Sequence, residues 1–133
     1  MIIYKTSDRI PFQVGKIRLL FSPLSFAQKT EINSYMRMEA GQEKSDPAKM
    51  AYLTVKYGVK AIEGCKLADG SDYKPKFQDD GILTDESTDD IMSLENAPLV
   101  VKACASLANQ IKDHKIPGVV IEMDKVSSVQ KKT

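Results

Sequence analysis

A chain of 133 residues with 42% hydrophobic content has room for one domain around one core and is too short for two. Its 19 basic and 18 acidic side chains leave a formal net charge of +1, which excludes the broad positive field that nucleic-acid binders use to engage phosphates. Cys65 and Cys104 are too few for a disulfide framework and are expected as reduced thiols.

In "MIIYKTSDRIPF" the only apolar run is broken by Lys5, Asp8 and Arg9, so no signal peptide is read and residues 1–12 are expected as an extended arm. No apolar stretch approaches the roughly 20 residues needed to cross a bilayer, and the protein is expected to stay in the compartment where it is made. "FQVGKIRLLF" alternates in part through Val14, Ile17, Leu19 and Phe21, predicting an early strand or hairpin. In "SPLSFAQKTEINSYMRMEAG", Ser25 and Gln28 have capping-box spacing and Gly41 is placed as an exit. They predict a helix over 25–39 with Ile32, Tyr35 and Met36 inward.

"SDPAKMAYLTVKYGVKAIEGC" carries the clearest helix signals, with Asp46 as cap, Pro47 in the first turn and Gly64 at the exit. At about 100° per residue, Lys49, Lys56, Lys60 and Glu63 share one narrow stripe, and Ala51, Thr54 and Gly58 form a small-residue groove facing away from it. Because glycine costs about 1 kcal/mol relative to alanine inside a helix, Gly58 predicts a close approach by another element. "CKLADGSDYKPKF" reads as a hairpin reversing at Asp69-Gly70. "LTDESTDDIMSL" predicts a short helix over 85–94, capped by Thr84 or Asp85, whose acids suit the positive end of the helix dipole. "NAPLVVKACASLANQIKDH" opens on Asn96 and Pro98 and repeats Leu99, Val100, Ala103, Cys104, Leu107, Ala108 and Ile111 at helical spacing. Residues 113–133 are expected as a strand through Val119, Ile121 and Met123, followed by a solvated, flexible tail. The sum is a mainly α fold: a single-domain bundle of about four helices with a short β-hairpin and an N-terminal strand or hairpin.

Candidate chemistry is sparse. "FQDDGILTDESTDDI" gathers six carboxylates around one glycine, but an EF-hand register with Gly81 at position six puts Lys76 at one and Ser87 at twelve. Calcium is therefore not expected there. Zinc needs several Cys or His ligands at short spacing, and Cys65, Cys104 and His114 do not provide it. On one helix, Cys104 and His114 would lie about 15 Å apart, too far for a nucleophile and its base. Phosphate-loop and nucleophile-elbow motifs do not occur. No catalytic residue, metal or cofactor is expected, and the lysine stripe is read as a solvent face. The methionines, among them Met36, Met38, Met50, Met92 and Met123, are read mostly as core, with an adaptable binding surface as the other use.

Charge is segregated along the chain: residues 1–60 hold ten Lys/Arg and five Asp/Glu, whereas 79–95 hold seven acids and no base.

Taken in order, "DPAKMAYLTVKYGVKAIEGC", "LADGSDYKPKF", "DDGILTDESTDDIMSL" and "PLVVKACASLANQI" resemble the tail assembly chaperones of long, non-contractile-tailed bacteriophages, over about residues 13–112. The resemblance lies in the order and spacing of elements. It implies a mostly helical, non-enzymatic protein of the infected host's cytoplasm, absent from the mature virion. Such a protein binds the tape measure protein before the tail tube closes, self-associates, and is often accompanied by a longer product of ribosomal frameshifting. The ending "QKKT" is compatible with a slip over the Lys131-Lys132 codons, and the nucleotide sequence would decide. Neither nucleic acid nor membrane is an expected partner.

In that setting, charge segregation gives a hypothesis for self-association. Asp79, Asp80, Asp85, Glu86, Asp89 and Asp90 of one copy would meet Lys16, Arg18, Lys29 and Arg37 of the next, head to tail. The alternative is a virion structural subunit, such as a tail-completion or head-tail joining protein, for which extensive sheet or long loops would be expected.

Overall fold

Alternation governs the amino-terminal region. In the computed structural model, which describes residues 3–39, 42–109, 116–122 and 125–128 (backbone alone for 37–39, 42–44 and 127–128), β1 (Asp8–Val14) and β2 (Ile17–Phe21) form the predicted hairpin. The chain reverses at Gly15, whose φ of +60° suits glycine. Ile10, Phe12 and Val14 of β1, with Leu19 and Phe21 of β2, turn one face into the core and are almost fully buried. The extended arm expected over 1–12 is thus corrected, because Asp8–Phe12 belong to the central strand of a sheet. Pro11 is tolerated there because its carbonyl accepts from the Glu122 N–H (2.9 Å). Its missing N–H therefore falls on the side away from β2, where pairing passes from one short strand to another.

The larger correction is to fold class. The central helix, α2 (Pro47–Gly58), does not run to Gly64: at Gly58 the chain enters β5 (Val59–Glu63), which pairs with β2. On the other side of β1 lie β6 (Val119–Ile121) and β7 (Ser127–Ser128), so part of the expected solvated tail is strand. The antiparallel order is β5-β2-β1-β6, with β7 on the first residues of β1. The protein is α+β, not a mainly α bundle. "VKAIE" fits either period, as short apolar runs do, and the free edge of β2 decides in favour of strand.

The first helix is also shorter than predicted. The Ser25–Gln28 capping box forms reciprocally, at 3.1 and 3.0 Å, yet α1 spans only Phe26–Asn33. Ile32 is its single buried side chain, so no apolar stripe carries the helix further. Ser34 closes the helix, and β3 (Met36–Glu39) pairs with β4 (Gln42–Ser45) in a separate hairpin tied off by Asp46 N–H to Tyr35 O (2.8 Å). Tyr35 is half-buried, and Met36 is 55% exposed rather than inward.

Asp46 and Pro47 start α2 as expected, with the Asp46 carboxylate accepting from the Lys49 N–H. Thr84 caps α3 (Asp85–Met92). In α4 (Ala97–Ala108), Val100, Ala103, Cys104 and Leu107 are buried as predicted, while Ile111 and Met123 lie outside the described residues. Asn96 makes no side-chain cap; its amide reaches Val14 O at 3.4 Å. α2 and α4 pack on each other over the inward face of the sheet. The close approach expected at Gly58 is found: a Cβ there would sit 2.0 Å from the Phe21 ring. The Asp69-Gly70 reversal is present, reduced to a single bridged pair, Lys66 with Asp72.

Candidate functional site

An apolar groove of about 470 Å³ runs between α1, α2 and α4, with Met36 and Ser45 of the β3–β4 hairpin at its mouth. Helical spacing builds it. α4 contributes Val101, Ala105 and Ala108, one step round from its buried seam, and α2 contributes Met50, Ala51 and Thr54. Small residues on both walls leave the space open. The Thr54 hydroxyl donates to Met50 O (2.8 Å), so it offers no free donor to the floor. Lys29, Asn33 and Asn109 supply a polar rim. Phe26, one turn before Lys29 on α1, is 85% exposed. Ala51 and Thr54 form the small-residue face that helical spacing predicts, but the groove also depends on the early end of α1, which periodicity does not reveal.

The acidic stretch is partly consumed inside the molecule. In the loop before α3, Asp80 accepts from the Ile82 N–H (3.0 Å) around Gly81, whose φ is +83°. Leu83, Ser87, Thr88 and Ile91 are buried and anchor the segment, and the Ser87 hydroxyl accepts from the Lys76 N–H (2.8 Å). Asp85 accepts from Lys56 Nζ (2.8 Å) and from the Tyr52 hydroxyl (2.7 Å). Those bonds hold its carboxyl below the ordinary range, Lys56 most strongly, while burial first and Asp85 second push the Tyr52 hydroxyl up. Asp90 accepts from the Tyr73 hydroxyl (3.0 Å). The side chains of Asp79, Glu86 and Asp89 make no hydrogen bond or ion pair among the described residues.

A test of pH dependence follows from Asp85. Its folded pKa lies below the unfolded value, so its contribution is fully present above about pH 4 and is lost as pH falls through the folded pKa. Asp85→Asn keeps the shape and removes the charge. In urea unfolding across pH, wild type is expected to exceed this variant by a constant margin from pH 7 down to about pH 4, and the margin should then close. A margin as wide at pH 2 as at pH 7 would contradict this role.

The basic residues read as the complementary face stand on different parts of the fold. Lys16 is in the β1–β2 turn, Arg18 on β2 lies 4.0 Å from Glu122, and Lys29 edges the groove. Arg37 is in β3, opposite Lys44. The lysine stripe read on the central helix is divided, since Lys60 and Glu63 belong to β5, and Lys49 lies over the rings of Tyr35 and Tyr52 at 5.9 and 5.5 Å.

Cys104 is fully buried and its thiol is pushed up by burial; Cys65 is half-buried and raised for the same reason. His114 lies outside the described residues. Among the described residues no three His, Cys, Asp or Glu side chains form a metal-holding group, and no single helix is long and apolar enough to cross a membrane. Comparison with protein-family models, with curated proteins and with solved structures found no match.

Proposed function

We propose that this protein is a tail assembly chaperone of a long, non-contractile-tailed phage, which keeps the tape measure protein soluble until the tail tube encloses it. The observation that carries the reading is the open apolar groove between α1, α2 and α4. A groove of this kind accepts one face of an amphipathic helix through anchors at i, i+3, i+4 and i+7. The client implied by the resemblance is long and helical, and offers many such faces. Met36 and Met50 on the groove wall adapt to varied side chains, and Phe26 extends the apolar contact beyond the rim. No bond is made or broken: covering apolar client surface, at about 25 cal/mol per Å², opposes its aggregation. Copies associate along the client through uncompensated acids, foremost Asp79, Glu86 and Asp89.

Co-expression with the neighbouring long open reading frame tests this. Wild type is expected to yield a soluble complex. Ala105→Arg, a change at an exposed position that fills the groove with charge, is expected to leave the fold intact and the client in the pellet. An insoluble client with wild type, or undiminished rescue by the variant, would defeat the proposal.

The five-stranded sheet favours a second reading, a virion structural subunit of the tail-completion or head-tail joining kind. Mass spectrometry of purified particles separates the two, since a chaperone should be missing from them and a structural subunit present.

A further inference from the structure

A second cavity, of about 320 Å³, opens where α2 gives way to β5. It brings together two cations from different strands, Arg9 of β1 and Lys60 of β5, and the loop carrying Asp80 and Gly81. Lys60 Nζ donates to Gly81 O (2.9 Å), and Arg9 Nη1 donates to Thr6 O and Asp8 O (both 3.0 Å). Neither reaches a carboxylate at ion-pair distance among the described residues, whereas Arg18, Lys56, Lys66 and Lys125 all do. Burial holds both cations below their ordinary pKa, and Arg9 lowers Lys60 further by repulsion.

Two positive charges turned into one partly desolvated cavity repel each other, an arrangement that costs free energy until an anion joins them. Asp80 offsets part of this cost, but one of its oxygens is already engaged by the Ile82 N–H. The neighbouring Asp8 carboxylate offsets part of it at Arg9 as well, but it accepts from the Lys5 N–H (2.7 Å) and does not line the cavity. Of the lining hydroxyls, Ser22 donates to Thr6 O and Tyr57 to Glu31, while the Ser25 hydroxyl accepts from the Gln28 N–H. The cationic donors left free are Nε and Nη2 of Arg9 and the remaining ammonium protons of Lys60. A guanidinium fork beside an ammonium matches the geometry of an oxyanion.

We propose that Arg9 and Lys60 form a binding site for one oxyanion, a carboxylate or a phosphate group, within this cavity. The site is independent of the groove and of the chaperone reading. Its test is an NMR titration of the full chain with inorganic phosphate, and separately with acetate, at an ionic strength held constant with chloride. One or both anions are expected to give saturable shifts of the Gly81, Ile82 and Ser25 amide signals, and the comparison assigns the preferred chemistry. Lys60→Gln and Arg9→Gln should each weaken binding by about tenfold or more, while Lys125→Gln leaves it unchanged. Should Arg9→Gln fail to fold, judged by circular dichroism, Lys60→Gln carries the test alone. Phosphate and acetate indistinguishable from chloride, or undiminished binding in Lys60→Gln, would overturn the proposal.

Discussion

Gly58→Ala is expected to destabilise the protein by about 1–3 kcal/mol, although alanine is the better helix former by about 1 kcal/mol. The sign is set by Phe21. A Cβ at position 58 would lie 2.0 to 2.7 Å from three atoms of that ring, and Phe21 is fully buried between sheet and helix. The ring has nowhere to go unless β2 or the end of α2 moves. Backbone coupling resists that movement, because Ser22 N–H bonds Gly58 O at 2.7 Å. Urea unfolding measures the loss, and Phe21→Leu in the same background should make the alanine less costly, since the two changes share one space. A Gly58→Ala variant as stable as wild type would show that the contact is slack.

Leu83→Ala is expected to cost about 2–5 kcal/mol. Leu83 is fully buried at the hinge between the acidic loop and α3, bridged to Phe77. Truncation removes the apolar anchor that keeps six carboxylates in place. The carboxylates themselves should matter far less to folding. Replacing Asp79, Glu86 and Asp89 together by their amides is expected to change stability by no more than about 1 kcal/mol, because their side chains are exposed and make no bond among the described residues, and of the three only Glu86 stands in the first turn of α3. If these acids join one copy to the next, the same triple variant should sediment as smaller species, with less dependence on salt. A large stability loss in it, or an unchanged sedimentation profile, would contradict this division of labour.

Local rules located most of the punctuation. Ser25 with Gln28, Asp46 with Pro47, and Thr84 started helices where their chemistry required, and Gly58 announced its tight contact. Stopping points were harder, because they depend on partners distant in the chain. Val59–Glu63 is strand only because β2 lies beside it, and Met36–Glu39 leaves the helical path because α1 buries nothing beyond Ile32. The groove and the Arg9–Lys60 cavity each combine segments separated by dozens of residues, so neither shows as a motif. The acidic stretch stood out in sequence, yet its buried fraction was invisible there: Ser87, Thr88 and Ile91 hold it down between the charges.

The strand order β5-β2-β1-β6 leaves the innermost strand waiting for the most distant one. A nascent chain that has emerged as far as α4 can seat its helices on β1, β2 and β5, but β1 keeps one flank of backbone donors and acceptors bare until residues 119–128 arrive. That flank is the place where two unfinished copies on one messenger would stick together. Synthesis of β6 and β7 is therefore the step of translation that removes this exposed flank.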